Sequence, residues 1–355
     1  MTRASDPTPR GPAWLALLLF ALLALIVSAR LQPSPVRPLD APAQEFSAAR
    51  AEHTLERLLG DGRAHPTGSA AQASVRARLL EELEQLGLKP VVHGGMACGE
   101  GVCAELHDIL AEVPGAIPGS SIRGSAEPAQ LLLAAHYDSV PAGPGAGDDG
   151  QGVATLLELA RALREAPLRQ GVWLLFTDGE ELGLLGARLF ASEHPLAREL
   201  RIAINLEARG NRGPSLMFQT GPRSAGLIRN FAEAPHPVAS SLFEPVYQQL
   251  PSDTDFTIFL RQDMAGLNFA FLGGVEHYHT PFDTSARLDW RSVQQQGEGV
   301  LASLRAFSRT GGVEDHTALV YFDVFAAWLV TLPAAAMWPA ALLALVLWAV
   351  VLGRA

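Results

Sequence analysis

Short apolar runs alternate with longer segments of helical periodicity through the middle of this chain. Residues 131–135, 172–176, 202–206 and 267–272 are apolar runs of strand length. Helical spacing of apolar residues is found in the segments 45–59, 70–86, 152–163, 182–190 and 290–307. Because strands alternate with helices, the sequence predicts an α/β fold, with a mostly parallel central sheet and helices on both faces.

The two ends of the chain are more apolar than its middle. Residues 13–29 carry no charge and follow Arg3 and Arg10, so residues 1–30 are predicted to be a signal peptide or membrane anchor. The Pro-rich residues 31–42 are interpreted as a linker. Residues 317–353 are almost wholly apolar and are predicted to be C-terminal membrane segments, with two buried core helices as the alternative.

Residues 43–312 remain for one large globular domain. Lys and Arg number 27 and Asp and Glu 37, giving a net charge of −10, which argues against nucleic acid as a partner. The two cysteines, Cys98 and Cys103, lie in a Gly-rich turn. A hairpin disulfide in an oxidising compartment is the favoured interpretation, and two free thiols are the alternative.

Histidines and acidic residues follow the predicted strands or precede a predicted helix. The set comprises His136, Asp138, Asp148, Asp149, Glu180, Glu181, Glu207 and His279. A single acid at such a position is usually a helix cap or a solvated side chain. Five separate loops that present such groups at one edge of a sheet indicate a site, because ligands bind where parallel strands end.

The types of residue in this set indicate zinc. Two histidines and several carboxylates suit this ion without any thiolate. One catalytic zinc takes three protein ligands, whereas the five loops offer five plausible ligands and a spare carboxylate, so a carboxylate that bridges two ions is expected. Of the adjacent Glu180 and Glu181, one can bind metal while the other acts as general base on the metal-bound water.

These motifs also carry a family resemblance. HYDS, GAGDDG, DGEELG, NLEARG and YHTPFDT, in this order over residues 43–308, resemble the two-zinc aminopeptidases of clan MH, the aminopeptidase Y and bacterial leucyl aminopeptidase type. NLEARG has Glu where most of the wider family has Asp. Together with FQTGP and SDTDF, this places the resemblance nearest the endoplasmic reticulum metallopeptidase 1 (Fxna-like) branch, and it implies the zinc-exopeptidase fold and peptide substrates.

The resemblance implies a role for each motif residue. One zinc would be bound by His136, Asp148 and Glu207, and the other by Asp148, Glu181 and His279. Glu180 would be the general base, and Asp138 would orient His136. Three other positions carry further expectations: Asp149 as the residue that holds the turn, Asp283 as a partner of His279 or a helix cap, and His277 as a less favoured alternative to His279.

Three functions are compatible with these patterns. The favoured one is a membrane-attached two-zinc aminopeptidase. A single-zinc enzyme resembling glutaminyl cyclase, and an inactive membrane scaffold or receptor on the same fold, are the alternatives. The export-type N-terminus predicts that the peptidase domain lies on the non-cytoplasmic side. Residues 334–352 would then cross the membrane and return Arg354 to the cytoplasm, with residues 320–332 along the interface, whereas two short spans would leave Arg354 outside.

Overall fold

The computed structural model describes residues 13–99, 101–117, 131–310 and 315–354. Arg3, Arg10 and the predicted domain boundary at residue 312 therefore lie outside the described residues. Ten α-helices are described: α1 (Ala13–Arg30), α2 (Ala48–Leu59), α3 (Ala70–Gln85), α4 (Gln151–Glu165), α5 (Leu185–Glu193), α6 (Ala225–Phe231), α7 (Phe243–Tyr247), α8 (Asp255–Arg261), α9 (Trp290–Thr310) and α10 (Met337–Arg354).

A seven-stranded sheet forms the centre of the domain. Its strands are β1 (Val91–Gly99), β2 (Val102–Val113), β3 (Leu131–His136), β4 (Val172–Thr177), β5 (Ile202–Ala208), β6 (Leu216–Thr220) and β7 (Ala265–Phe271). Their order across the sheet is β1-β2-β4-β3-β5-β7-β6. The four central strands are mutually parallel and only β2 and β6 run against them, which confirms the predicted mostly parallel sheet.

Helices cover both faces of this sheet, as predicted. Alternate side chains of β3 point to opposite faces, so Leu131 and Leu133 join one apolar cluster and Leu132 and Ala134 join another. Helices α2, α4 and α9 pack in the first cluster, and α5 and α8 pack in the second. The core of the domain is therefore two apolar layers on either side of the parallel strands.

The antiparallel pair β1–β2 was not predicted. The residues of β1 are rich in Gly and at most half-buried, so the apolar pattern that marks the central strands is weak there. Cys98 and Cys103 lie opposite each other near the turn and are joined by a disulfide bond, as expected. Glu100, within this turn, lies outside the described residues.

The predicted linker packs against the domain. The main-chain amide of Arg37 donates a hydrogen bond to Gln294 Oε1 on α9 at 3.0 Å. The Ser47 hydroxyl donates to the carbonyls of Arg37 and Pro38 at 2.9 Å each and also caps α2 by accepting from the Arg50 amide. This stretch is thus fixed in place by the same residue that starts α2.

The apolar C-terminal region contains two different structures. A separate two-stranded hairpin consists of β8 (Leu319–Val324) and β9 (Trp328–Pro333). Among the described residues, only the segment Ala334–Gly353 forms a helix long and apolar enough to cross a membrane. The apolar part of α1, Trp14–Arg30, is shorter. The C-terminal region thus contains one helix of spanning length rather than two short ones.

Candidate metal centre

The residues that the motifs single out converge at one edge of the parallel strands. His136 is the last residue of β3, and Glu207 lies near the end of β5. Asp148 lies in the turn that leads into α4, and Glu181 follows β4. His279 follows β7 and a short turn. Parallel strands end at the same edge, so side chains far apart in the chain meet there.

Asp148 lies at the centre of the cluster. Its Oδ1 is 3.4 Å from His136 Nε2, and its Oδ2 is 3.0 Å from His279 Nε2. His136 Nε2 lies 3.9 Å from Glu207 Oε2, and His279 Nε2 lies 3.2 Å from Glu181 Oε2. The structure therefore forms two three-residue groups that share Asp148.

These two groups have metal-binding spacing. In His136, Asp148 and Glu207, and again in Asp148, Glu181 and His279, one ligand atom from each residue lies within 4.8 Å of the others. A third combination within the same distance is His136, Glu180 and Glu181. The first two groups match the two ligand sets that the sequence resemblance implied.

His279 is held in an unusual backbone conformation. Its φ angle is 56°, in the left-handed region that a non-glycine residue adopts at a cost in free energy. The Tyr278 ring stacks on its imidazole, with ring centroids 3.7 Å apart. His277, the alternative that the sequence left open, lies instead 3.1 Å from Asn211 Nδ2 and 3.3 Å from an Arg287 nitrogen. His279 is thus the histidine that reaches the acidic cluster.

Asp138 organises the turn that carries both glutamates. Its carboxylate accepts hydrogen bonds from the main-chain amides of Glu180 at 3.1 Å and Glu181 at 3.2 Å. Its main-chain oxygen lies 3.0 Å from His136 Nδ1, closer than its carboxylate oxygen at 3.4 Å. The Thr67 hydroxyl also donates to the carboxylate at 3.2 Å. Asp138 therefore contacts three of the predicted site residues rather than His136 alone.

The turn before α4 holds Asp148 in place by main-chain contacts. Asp283 accepts hydrogen bonds from the amides of Gly147 at 2.7 Å and Asp148 at 3.1 Å. A Cβ on Gly147 would lie 2.7 Å from Asp283 Oδ1, so a side chain there would clash. Asp149 accepts from the Gly152 amide at 3.2 Å, which agrees with the predicted turn-holding role. Asp283 supports the Asp148 turn, a role that the sequence had not suggested.

Glu207 is buried on the floor of the site. Its Oε1 accepts a hydrogen bond from Asn205 Nδ2 at 3.2 Å, and its main-chain oxygen accepts from Gln151 Nε2 at 3.3 Å. Its other carboxylate oxygen faces His136. The longer glutamate side chain therefore still reaches the His136 side of the cluster.

The site holds more carboxylates than its surroundings can neutralise. Burial raises the pKa of Glu180 and Glu207 well above the ordinary value, against the attraction of His136. Burial likewise raises the pKa of Glu181 to about 7, with repulsion from Asp148 adding to it. Carboxyl groups with raised pKa values in a cluster are groups that a nearby cation would return to the ionised state.

At the shared aspartate and at His279, hydrogen bonds outweigh the effect of burial on the pKa. Burial would raise the pKa of Asp148, but its hydrogen bonds with His136 and His279 outweigh burial and lower the pKa to about 2. Burial would lower the pKa of His279, but its bonds with Asp148 and Glu181 raise it to about 9. The ring nitrogens that face these carboxylates are thus the positions that a metal ion would occupy in place of a proton.

This donor set fits zinc. Zinc takes imidazole nitrogens and carboxylate oxygens, and two His with three carboxylates provide both. Glu181 Oε1 is buried and has no hydrogen-bond partner among the described residues, so this oxygen is available to bind a metal ion. The two groups could each hold one ion, with Asp148 common to both.

A large cavity opens beside the cluster. Its volume is about 660 Å³, and Asp148, Glu180 and Glu207 form part of its wall. The rest of the wall is mainly apolar and includes Leu216, Phe218, Phe243, Val246, Leu272 and Val275. An extended molecule could therefore place an apolar group in the cavity while a polar group contacts the carboxylates.

Several site residues had no role assigned from the sequence. Arg209 donates a hydrogen bond to Ser252 Oγ at 2.9 Å and lies over the Tyr278 ring. Asp255 is buried, accepts a hydrogen bond from the Thr177 hydroxyl, and burial raises its pKa to about 6. Arg209 and Asp255 lie within NLEARG and SDTDF, so the motifs contained the signal, but their contacts depend on residues distant in the chain.

Comparison with protein families gives one match over the centre of the chain. The sequence profile described as Peptidase family M28 matches residues 120–304, just over half of the 355 residues. Endoplasmic reticulum metallopeptidase 1 of Mus musculus is 32% identical over 352 aligned residues, which are 90% of this chain and 38% of that protein. The chain thus spans less than two fifths of the length of this relative.

Solved structures of similar fold include two bacterial enzymes. Glutaminyl cyclase of Porphyromonas gingivalis has a TM-score of 0.57 and 21% identity, and the match covers 73% of this chain and 98% of the cyclase. A Zn-dependent exopeptidase of Parabacteroides distasonis has a TM-score of 0.57 and 18% identity, over 74% of this chain and 99% of that protein. At these identities the likeness concerns the fold, which agrees with the predicted zinc-exopeptidase fold.

Proposed function

This chain belongs to peptidase family M28, and from that premise we propose that it is a membrane-attached aminopeptidase that uses two zinc ions. The family and the donor set support a zinc metallopeptidase. The number of ions, the removal of N-terminal residues and the roles of individual side chains are the proposed parts. The observation that carries them is the pair of three-residue groups that share Asp148.

In this proposal His136, Asp148 and Glu207 hold one ion, and Asp148, Glu181 and His279 hold the other. When bound, zinc polarises the carbonyl of the scissile bond and makes water nucleophilic near neutral pH. Glu180 accepts a proton from the attacking water and then donates it to the leaving amine. Its main-chain amide is fixed by Asp138, so its carboxylate is held at the cavity wall.

The cavity supports cleavage next to the N-terminus. Its wall is mainly apolar and also includes the acidic residues Asp148, Glu180 and Glu207. A free α-amino group is positively charged and would be attracted to these acidic residues. We therefore propose peptides with an apolar first residue as the preferred substrates.

Membrane attachment rests on the ends of the chain. The segment Ala334–Gly353 has the length and hydropathy to span a bilayer, and none of it is buried in the structure. We propose that it crosses once, with the peptidase domain on the non-cytoplasmic side. A reporter fused after Ala355 would then be cytoplasmic, and a fused reporter on the peptidase side would contradict a single crossing.

Metal content and product analysis test the catalytic proposal. The purified full-length chain is expected to contain two zinc ions and to release free amino acids one at a time from a peptide panel. Chelation is expected to abolish turnover, and two equivalents of zinc are expected to restore it. Full activity with one equivalent, with cyclised N-terminal glutamine as product, would favour the cyclase-like alternative.

A further inference from the structure

The β8–β9 hairpin has two unlike faces. In an antiparallel pair, residues directly opposite each other point to the same side of the sheet. The outer face is formed by three such pairs, Val320–Leu332, Phe322–Val330 and Val324–Trp328, and all six side chains are apolar. The inner face contains Tyr321 and Leu329, which are buried, together with Asp323 and Thr331. A polar residue is thus found only on the side that faces the domain.

Main-chain hydrogen bonds fix the hairpin to the domain along the other edge of β8. The amide of Ser241 donates to the Tyr321 carbonyl at 2.9 Å, and the amide of Asp323 donates to the Ala239 carbonyl at 2.9 Å. The Asp323 carboxylate accepts from the Ala326 amide at 3.0 Å, which closes the turn. The orientation of the two faces is therefore set by the peptidase domain.

Half of the outer face is exposed. Trp328 is 67% exposed and Phe322 and Leu332 are also exposed, whereas Val320, Val324 and Val330 are half-buried. Phe325, at the tip of the hairpin, is exposed as well. Exposed apolar side chains grouped on one face of a folded domain mark a surface that binds a protein or a membrane.

The position of the hairpin in the chain favours a membrane. Strand β9 ends at Pro333, and the apolar helical segment begins at Ala334 with no linker between them. One residue extends the chain by only about 3.5 Å, whereas the polar zone of a bilayer is about 5–7 Å thick on each side. The C-terminal end of β9 is therefore within the interfacial zone whenever Ala334–Gly353 spans the membrane.

We propose that the outer face of the β8–β9 hairpin is a membrane-docking surface that lies flat on the lipid bilayer. This inference rests on the proposed membrane crossing of Ala334–Gly353. Lipid acyl chains cover Val320, Phe322, Val324, Trp328, Val330 and Leu332, and Trp328 takes the interfacial position that tryptophan favours. The inner face then holds the peptidase domain above the surface.

Docking also fixes one wall of the cavity. Ser241, bonded to β8, is followed at once by Leu242 and α7, and this segment lines the cavity beside the metal centre. Only a few residues thus connect the hairpin to the cavity wall, and lipid contact at the hairpin would place the cavity close to the membrane surface.

Site-specific fluorescence quenching tests this orientation. Cys98 and Cys103 are joined to each other, so a newly introduced cysteine is the one free thiol. Trp328→Cys, Leu345→Cys and Met96→Cys are each labelled with pyrene and reconstituted as full-length chains in phosphatidylcholine vesicles with nitroxide-labelled acyl chains. Met96, on β1, is the matched control, because it is 67% exposed, as Trp328 is.

The expected result is strong quenching at positions 328 and 345 and none at position 96. Quenching at 345 without quenching at 328 would overturn the docking surface while leaving the membrane crossing intact. No quenching at 345 would refute the crossing and the docking surface with it. Pyrene excimer emission at 328, without quenching by lipid, would identify a second copy of the chain as the occupant and also overturn the proposal.

Discussion

The metal centre and the C-terminal hairpin depart from the usual distribution of residues in opposite ways. At the ends of the parallel strands, the acids Asp148 and Glu207 are buried, with 5% and 6% exposure. In the hairpin, Trp328 is 67% exposed. Buried charge and exposed apolar surface are the two informative exceptions to normal burial. Each agrees with a proposed partner outside the chain: a cation for the buried acids, and lipid for the apolar face.

The comparison also concerns how the two regions are held. At the metal centre, main-chain amides donate hydrogen bonds to the carboxylates of Asp138 and Asp283, which fixes the turns that carry the proposed acidic ligands. The outer face of the hairpin is oriented by the backbone of β8 and β9, and Phe322, Trp328 and Leu332 on this face are exposed. Changes at the metal centre should therefore affect catalysis strongly, whereas changes on the outer face should have small effects on folding.

The largest effect is expected from Glu180→Gln. Loss of a general base lowers the rate by about 10²–10⁴-fold, and the isosteric amide leaves the proposed ligands in place. Steady-state kcat and zinc content, measured on the same preparation, test this, with exposed Glu193→Gln as control. A kcat within a few-fold of the unaltered chain would show that Glu180 is not the base.

The affinity for zinc should distinguish Asp148, which belongs to both ligand groups, from His279, which belongs to one. Asp148→Asn is expected to weaken binding of both zinc ions, because its carboxylate belongs to both groups, and His279→Ala is expected to weaken one. Each loss should exceed the roughly 10–100-fold that follows removal of an outer hydrogen-bond partner. Zinc titration monitored by calorimetry measures these affinities, and Asp61→Asn, at an exposed acid, is the control. Equal effects of Asp148→Asn and His279→Ala would refute the proposal that Asp148 bridges the two ions.

Substitutions at two adjacent residues, one on each face of the hairpin, are expected to change the free energy of unfolding by different amounts. Tyr321 is buried on the inner face, so Tyr321→Ser is expected to lower the free energy of unfolding by about 3 kcal/mol. Phe322→Ser, on the outer face, should change it by less than about 0.5 kcal/mol in detergent. Thermal unfolding of the two variants compares them directly. A larger loss for Phe322→Ser would mean that its face packs against the domain.

The smallest effect concerns a buried acid that is not a proposed ligand. Burial raises the pKa of Asp255 from 3.8 to about 6, so the folded chain holds this proton more tightly than the unfolded chain does. Its contribution to stability is complete below about pH 4 and is lost as the pH rises through 6. In the metal-free protein, Asp255→Asn should therefore stabilise by about 1–3 kcal/mol at pH 8 and have little effect at pH 4.

Denaturant unfolding at the two pH values measures this difference, and Asp61→Asn, at an exposed acid, is the control. The same stabilisation at both pH values would show that the effect does not come from the Asp255 proton. Added zinc should leave the sign of the difference unchanged, because Asp255 belongs to neither proposed ligand group.

The sequence alone determined the central strands, the helices around them and the set of residues at the strand ends. This was possible because a strand buried on both faces must be apolar along its whole length, as in β3, β4 and β5. A functional group can then appear only where the apolar run stops. The order of the motifs therefore indicated both the fold class and the predicted site residues.

Only the tertiary structure decided which groups contact one another. The choice of His279 over His277 depends on the left-handed turn that follows β7, and the support of Asp148 by Asp283 joins residues 135 positions apart. The strands β1, β2, β6, β8 and β9 were not predicted, because their stability comes from cross-strand pairing and from one buried face. Such pairing depends on a second strand, which is the neighbour in a hairpin for β1–β2 and β8–β9 and a distant segment for β6, so the side-chain pattern of one strand alone does not specify it.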